Sequence, residues 1–481
     1  MGTATTTTGT TTAAQRLARW VTALRYEDLT PEAIFHAKRC MLDTLGVQLR
    51  GATLPWVQPA YLYAKALGSS AGGNGTNGTS TISYHGDRVP APYAAYANSA
   101  FSYSCELQHH GSPESAHTGV IVVPVVQALG EQLGIRGKDI ITAMVAGYEA
   151  QGRIGAALAT PEFPRHFDAR QRHFHMQGML GVFSATAAAG KLLGLNEEQQ
   201  THAFAIAGSH ACGLLEYDEA GGEVKRIHGA LGVRNGMQAA MLAKVGLTGP
   251  LTVFEGRHGF FAAFGGAKPS NPDALLANLG DVSPDNSFCI TRCTYRIYPT
   301  IGTCHGPLDI VSDLMKAHHF NHGDVEKIRV GMYERGLMHV GTVTRPRDVI
   351  TAQASLAYSM GLRLVKGSNS LEMYIDPALW RDPDILAIAD KVECHVIEKP
   401  DLIQYAHVEV RLKNGKVLTG EVNHTRGSAK SPFSDEIMAG KFRTLTEVVM
   451  SRPRVDAVMQ AVNGLESLAS MAELVPLLQK E

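Results

Sequence analysis

The sequence predicts a mainly α protein with a second, smaller α+β domain, on three observations. Ala/Leu/Gly-rich segments with apolar residues at helical spacing run from Ala14 to about residue 275. Strand-like alternation then takes over, and Val408 to Leu412 leads into Lys413-Asn414-Gly415-Lys416, where Asn-Gly between alternating runs is a strong hairpin signal. From Ser434 the helical pattern returns, so the chain goes back to its first domain. The expected boundaries are a disordered tail over 1–14, a large helical domain over 15–280, an α+β domain over 285–430 and a helical return over 431–481.

In chain order, Leu17, Trp20, Val21 and Leu24 share one helix face, and Thr30-Pro31-Glu32 supplies an N-cap, an N1 proline and an early acid for the next helix. Gly68 to Thr79 reads as a flexible surface loop. Helices are expected at about 91–104, 121–134, 138–158 and 177–193, and Asn196 caps another that runs to Ala207. In the second domain, Cys289 to Tyr298 and Lys327 to Met332 read as strands, with helices near 305–317 and 351–365. Phe254 to Phe264 reads as a tight turn anchored by aromatic residues.

Lys plus Arg number 44 against 45 for Asp plus Glu, so no global field draws in nucleic acid or an anionic membrane. Seven scattered cysteines argue for reduced thiols rather than a disulfide framework, which leaves the Asn-x-Thr matches at Asn74 and Asn77 without sugar. The Thr-rich start lacks the pattern of a signal peptide, and the chain reads as soluble and cytoplasmic.

Chemistry concentrates in Cys105 to Gly119, where Glu106, His109, His110 and His117 occupy one turn-rich segment ahead of the apolar run Val120 to Val126. Acid/base work, a solvated polar loop and metal ligation through Glu106-x-x-His109 all suit these residues. Cys289-x3-Cys293 with Cys304-His305 is a second metal suspect, although its spacing suits no common zinc module. Gly221-Gly222 leads into a helix start bearing Lys225, Arg226 and His228, a cationic arrangement suited to carboxylates if it is not simply a solvated basic turn. His175 and His305 each stand just ahead of an expected helix, where a structural hydrogen-bonding role is the commoner one.

Several blocks in order resemble the MmgE/PrpD family: Leu17 to Gly51, Lys225 to Gly229 with Arg234-Asn235-Gly236, Phe254 to Phe261, Tyr298-Pro299 to His305, and Ser431 to Phe442. That family comprises 2-methylcitrate dehydratases, cis-aconitate decarboxylases and iminodisuccinate epimerases. Asn98 to Phe101, Glu106-Leu107, Ala211 to Leu214, Gly222 to Arg226, His305-Gly306-Pro307 and His339-Val340-Gly341 look closest to its fungal cis-aconitate decarboxylase branch. The resemblance implies a large helical domain, a smaller α+β lid, a homodimer and metal-free, cofactor-free catalysis in the cleft. It implies a small polycarboxylate substrate, with neither nucleic acid nor membrane as partner.

Carried over by position, the resemblance implies catalytic roles for Glu106, His117, His175, Lys225 and His305. It implies substrate contacts from Gln108, His109, Arg226, His228, Arg296 and His339. Two departures stand out. Gln108-His109 replaces an Asp-Asp pair, and Ile301 replaces a histidine of the animal decarboxylase. The first removes two potential negative charges and points to a variant substrate, such as a citrate or aconitate bearing an alkyl group. Dehydration, decarboxylation and epimerisation draw on the same residues, and a non-catalytic carboxylate binder is the remaining reading.

Overall fold

In the computed structural model, the described residues are 11–70, 79–111, 116–158, 173–265, 272–281, 287–397, 399 and 404–481. The Thr-rich start, Asn74 and Asn77 lie outside them, as do the middle residues of the Glu106 to His117 loop. The chain divides into two compact units. The first comprises Met1–Ser104, Gln108–Cys293 and Met438–Glu481; the second comprises Cys105–Leu107 and Thr294–Ile437.

The first unit is helical. Thr12 forms a capping box with Gln15 at the start of Ala13–Ala23, so helix begins inside the expected tail. Thr30 and Pro31 open Pro31–Gly51, and Asn196 caps Glu197–Gly208, as the sequence predicts. The helix Gln58–Ser70 passes through Gly68, so the surface loop expected to begin there starts later. The centre is formed by Gly119–Leu133, Gly137–Leu158 and Met176–Leu192, whose residues are buried on nearly every face. Such all-round apolar helices are stable only when enclosed by others. His228–Lys244 packs against Met176–Leu192 at backbone distance, because a side chain on Gly236 would meet the Val182 carbonyl at 2.4 Å. Phe183, Phe254 and Phe260 meet tilted or edge-on in the aromatic cluster that anchors the turn after this helix. A two-stranded ribbon, β1 (Ser80–Thr81) and β2 (Arg88–Val89), completes the unit.

The second unit holds a four-stranded sheet of order β4-β3-β5-β6, with β3 Val325–Met332, β4 Val392–Val396, β5 Ala406–Leu412 and β6 Val417–Val422. β5 and β6 pair antiparallel across the Asn414-Gly415 turn, with Gly415 at φ +87°. The helices His305–His318 and Leu356–Lys366 cover apolar side chains of β3 and β5.

Two elements differ from the sequence reading. Cys289 to Tyr298 is not a strand: Cys289–Arg292 is a single 3₁₀ turn, and the Cys289 N–H donates to Glu149 Oε2 at 2.8 Å instead of to a ladder. Cys289 to Arg296 is buried at every position except Arg292, so its apolar character reports enclosure and not one face of a strand. The single helix expected over 351–365 is two, Val349–Gln353 and Leu356–Lys366, separated where Ser355 turns its hydroxyl to cap Tyr358 N.

Candidate active site

His117 sits just before Gly119–Leu133 and is held from both sides. Its backbone N–H donates to Gln177 Oε1 (2.7 Å), and Gln177 Nε2 donates back to its carbonyl (2.9 Å). Its Nδ1 lies 2.8 Å from the His109 carbonyl, which can only accept. The Nδ1 therefore carries a proton, and in the neutral ring the lone pair is on Nε2.

His175 caps Met176–Leu192 and is fixed through its backbone N–H to the Gly213 carbonyl at 3.0 Å. Gly213 has φ +115°, which favours glycine. The His175 Nδ1 is 2.6 Å from Nδ1 of His228, and its Nε2 is 3.4 Å from the Tyr103 hydroxyl. Tyr103 also packs on the His117 ring, with centroids 5.3 Å apart. Burial, and then the charge of Lys225, lower the His228 pKa to about 4, so this ring is neutral at physiological pH. Lys225 lies 5.9 Å over the Tyr217 ring, which in turn meets His175 edge-on.

Lys225 occupies a 3₁₀ turn, Glu223–Ile227, and the α-helix starts only at His228; the sequence reading placed both in one helical turn. Arg226 is buried, with Nε on Glu223 (2.5 Å), Nη1 on the Ser104 carbonyl (2.8 Å) and its guanidinium 4.7 Å over Trp56. Its Nη2 is buried without a hydrogen-bond partner among the described residues. Gln108 is fully buried, and neither its Oε1 nor its Nε2 has such a partner.

His109 is committed elsewhere. Its Nδ1 donates to Asp43 Oδ2 (2.8 Å), and its Nε2 lies 2.7 Å from the Tyr148 hydroxyl. Lys441 Nζ donates to the other Asp43 oxygen at 2.5 Å. Cys40 and Cys293 approach the same ring, and their sulfurs are 3.8 Å apart. These three are the group with metal-ligand spacing among the described residues, rather than either set singled out in the sequence. Both ring nitrogens of His109 already serve hydrogen bonds.

In the second unit, Glu106 has φ +56°, a left-handed conformation that costs a non-glycine residue of order 1 kcal/mol or more. Its carboxylate accepts from Arg296 Nη1 at 3.3 Å, both groups being buried. Gln353 Nε2 holds the preceding carbonyl, that of Cys105, at 3.1 Å. His305 is the first residue of His305–His318 and packs on the Tyr298 ring, whose hydroxyl donates to Asp309 at 2.9 Å. His339 is half-buried on the short helix Glu334–Val340.

Thus His117, His175, His228 and Lys225 are linked through Tyr103 and Tyr217 in the first unit, where Arg226 is held by Glu223, Ser104 and Trp56, whereas Glu106, Arg296, His305 and His339 belong to the second. Tyr103, Asp43 and Lys441 were not singled out from sequence. A charged residue inside the apolar stretch Met41 to Leu45 is the signal that marks Asp43; Tyr103 carries none.

The described residues thus form a helical unit carrying histidines and cations and an α+β unit carrying a buried acid–arginine pair. The chain belongs to MmgE/PrpD: residues 15–273 match the model of its N-terminal domain and residues 298–465 that of its C-terminal domain. The chain is an enzyme, of the lyase class. It is 28% identical to a cis-aconitate decarboxylase of Aspergillus terreus, over 96% of this chain and 95% of that protein. It is 27% identical to the cis-aconitate decarboxylase-like protein oryM of Aspergillus oryzae, over 97% of each, and to a human cis-aconitate decarboxylase, over 95% of this chain and 92% of the relative. No described helix is long and apolar enough to cross a membrane.

Proposed function

We propose that this chain is a carboxy-lyase acting on a citrate/aconitate-type tricarboxylate, and that its preferred substrate bears an alkyl group. The linked set His117, His175, His228 and Lys225, with Arg226 of the same unit, carries the reading. It joins cations for carboxylates to imidazoles whose proton positions are fixed by named partners. In decarboxylation the bond to the departing carboxylate breaks, its electron pair stays on carbon and spreads toward the remaining unsaturated acid, and a proton is then delivered. Lys225 and Arg226 stabilise the negative charge. Histidine supplies the proton route, with His117 and His305 as the positions carried over from the family. Glu106 and Arg296 of the second unit belong to the same proposal.

Gln108 supports the variant substrate. A fully buried amide without a hydrogen-bond partner among the described residues is costly unless a ligand satisfies it. By the family resemblance the amide stands in for an acid, so the site carries one fewer negative charge beside an anionic substrate and its fit to a polar acid changes. The committed ring nitrogens of His109 move that residue from substrate contact to positioning.

Dehydration of an alkylcitrate is the second reading. It is favoured by the His117 tautomer, because a lone pair on Nε2 is what abstraction of an α-proton needs. Assembly as a homodimer, checked by light scattering, completes the proposal.

The test is turnover of cis-aconitate and its alkyl derivatives by Lys225→Ala and His117→Ala. Under the proposal both variants keep the wild-type melting temperature and lose about 10²-fold or more in kcat, and chelators do not inhibit the wild type. Stoichiometric metal with chelator inhibition, or ligand-induced stabilisation without any turnover, contradicts it.

A further inference from the structure

We propose that Tyr103 closes a proton relay in which the His175 imidazolium, backed by the neutral ring of His228, recharges the Tyr103 hydroxyl as that hydroxyl protonates the substrate carbanion. The inference rests on the carbanion chemistry proposed above, and it names the donor which that reading leaves open.

Two Nδ1 atoms 2.6 Å apart must share one proton, since two lone pairs or two N–H groups would repel at that distance. Burial, and then the charge of Lys225, disfavour the His228 cation, so when the pair carries an extra proton the imidazolium is His175. His228 then accepts at Nδ1. With Nδ1–H committed, the second proton of a cationic His175 lies on Nε2, the atom 3.4 Å from Tyr103. That spacing is long in the unliganded chain, as catalytic hydrogen bonds often are before substrate binds.

Among the described residues, Tyr217 meets both imidazoles edge-on, at 5.3 and 5.7 Å. Lys225 stands over Tyr217, and His117 packs against Tyr103.

The step balances. The Tyr103 O–H bond breaks as the carbanion pair takes its proton to form C–H. The Nε2–H of His175 moves to the Tyr103 oxygen, and the imidazolium becomes a neutral ring that keeps Nδ1–H toward His228. One negative and one positive charge are annihilated, and solvent restores the proton in the next cycle. His117, with its lone pair on Nε2, is then the base of the dehydration reading, not the donor of decarboxylation.

Tyr103→Phe and His228→Ala separate this relay from a structural role, with cis-aconitate and an alkylated analogue as substrates. Tyr103→Phe is expected to lower kcat by about 10²-fold or more with KM within about threefold. His228→Ala is expected to move the alkaline limb of the kcat profile to lower pH. Nitrogen-15 NMR of the labelled wild-type protein is expected to place the neutral-state proton of His175 on Nδ1, a readout that needs no turnover. Wild-type kcat in Tyr103→Phe, an unmoved pH limb in His228→Ala, or a neutral His175 protonated on Nε2 overturns the relay. Absence of turnover in the wild type contradicts the proposed lyase while the NMR result still decides the proton's position.

Discussion

Asp43 and His109 form a buried ion pair: Nδ1 of the ring donates to Oδ2 at 2.8 Å, and both side chains are fully enclosed. Lys441 takes the second carboxylate oxygen at 2.5 Å, so one carboxylate is shared by two cationic partners inside the helical unit. The His109 carbonyl is also the group that fixes the tautomer of His117. His109 therefore supports the site from behind.

Removing the shared carboxylate leaves two cations facing each other in a medium that cannot solvate them. Asp43→Ala is expected to destabilise the first unit by about 3–5 kcal/mol, measured by urea denaturation. A loss below about 1 kcal/mol would mean that the network is solvated and not structural.

The same network gives stability a pH dependence with a definite sign. Burial lowers the His109 pKa, but the charges of Cys40 and Asp43 outweigh it and raise the group from 6.5 to about 9. Its contribution is complete below 6.5 and disappears as pH rises through 9. His228 is lowered from 6.5 to about 4 by burial and then Lys225, so stability also falls as pH drops from 6.5 toward 4. Burial opposes ionisation of Asp43, yet Lys441 and His109 bring it from 3.8 to about 2; its contribution is present above 3.8 and lost as pH falls through 2. Denaturation midpoints across pH are expected to peak near 6.5, with the alkaline decline absent in His109→Gln.

Gln108 tests the specificity argument without confounding it with folding. Gln108→Leu removes an amide with no partner among the described residues and is expected to leave stability unchanged or raise it by about 1 kcal/mol. Its KM for the preferred acid is expected to rise about tenfold, as the loss of one hydrogen-bonded contact does. Gln108→Asp is expected to shift the kcat/KM ratio toward cis-aconitate and away from its alkylated analogue. Equal ratios in wild type and Gln108→Asp would remove Gln108 from specificity.

In the second unit, Arg296→Met leaves the Glu106 carboxylate buried without its cation. Turnover is expected to collapse, and the melting temperature to recover in the double variant Arg296→Met/Glu106→Gln while turnover does not. Recovery of both would make the pair purely structural.

Much of this fold is readable from periodicity, because central helices such as Gly137–Leu158 are long enough for apolar spacing to speak clearly. The Asn414-Gly415 turn is readable for a different reason, since Gly415 at φ +87° occupies a conformation that favours glycine. Cys289 to Tyr298 misleads because a buried 3₁₀ turn and the enclosed chain after it carry the same apolar residue types as a strand. Residue chemistry at the site is similarly readable, as clustered His and Lys stand out. Partnership is not: Asp43 and Lys441 are 398 positions apart, and nothing local announces that they meet. Tyr103 is hidden likewise, because a tyrosine at a helix end looks like ordinary packing until His117 and His175 are brought against it.

The central claim is carbon dioxide loss from an alkyl-bearing tricarboxylate, and mass spectrometry of one incubation tests it most directly. The wild-type chain is mixed with citrate, 2-methylcitrate, longer alkylcitrates, cis-aconitate and its alkylated analogues. Loss of carbon dioxide, fastest from an alkylated aconitate, is the predicted result. Loss of water alone, no change of mass, or equal turnover of cis-aconitate and its best alkylated analogue would contradict it.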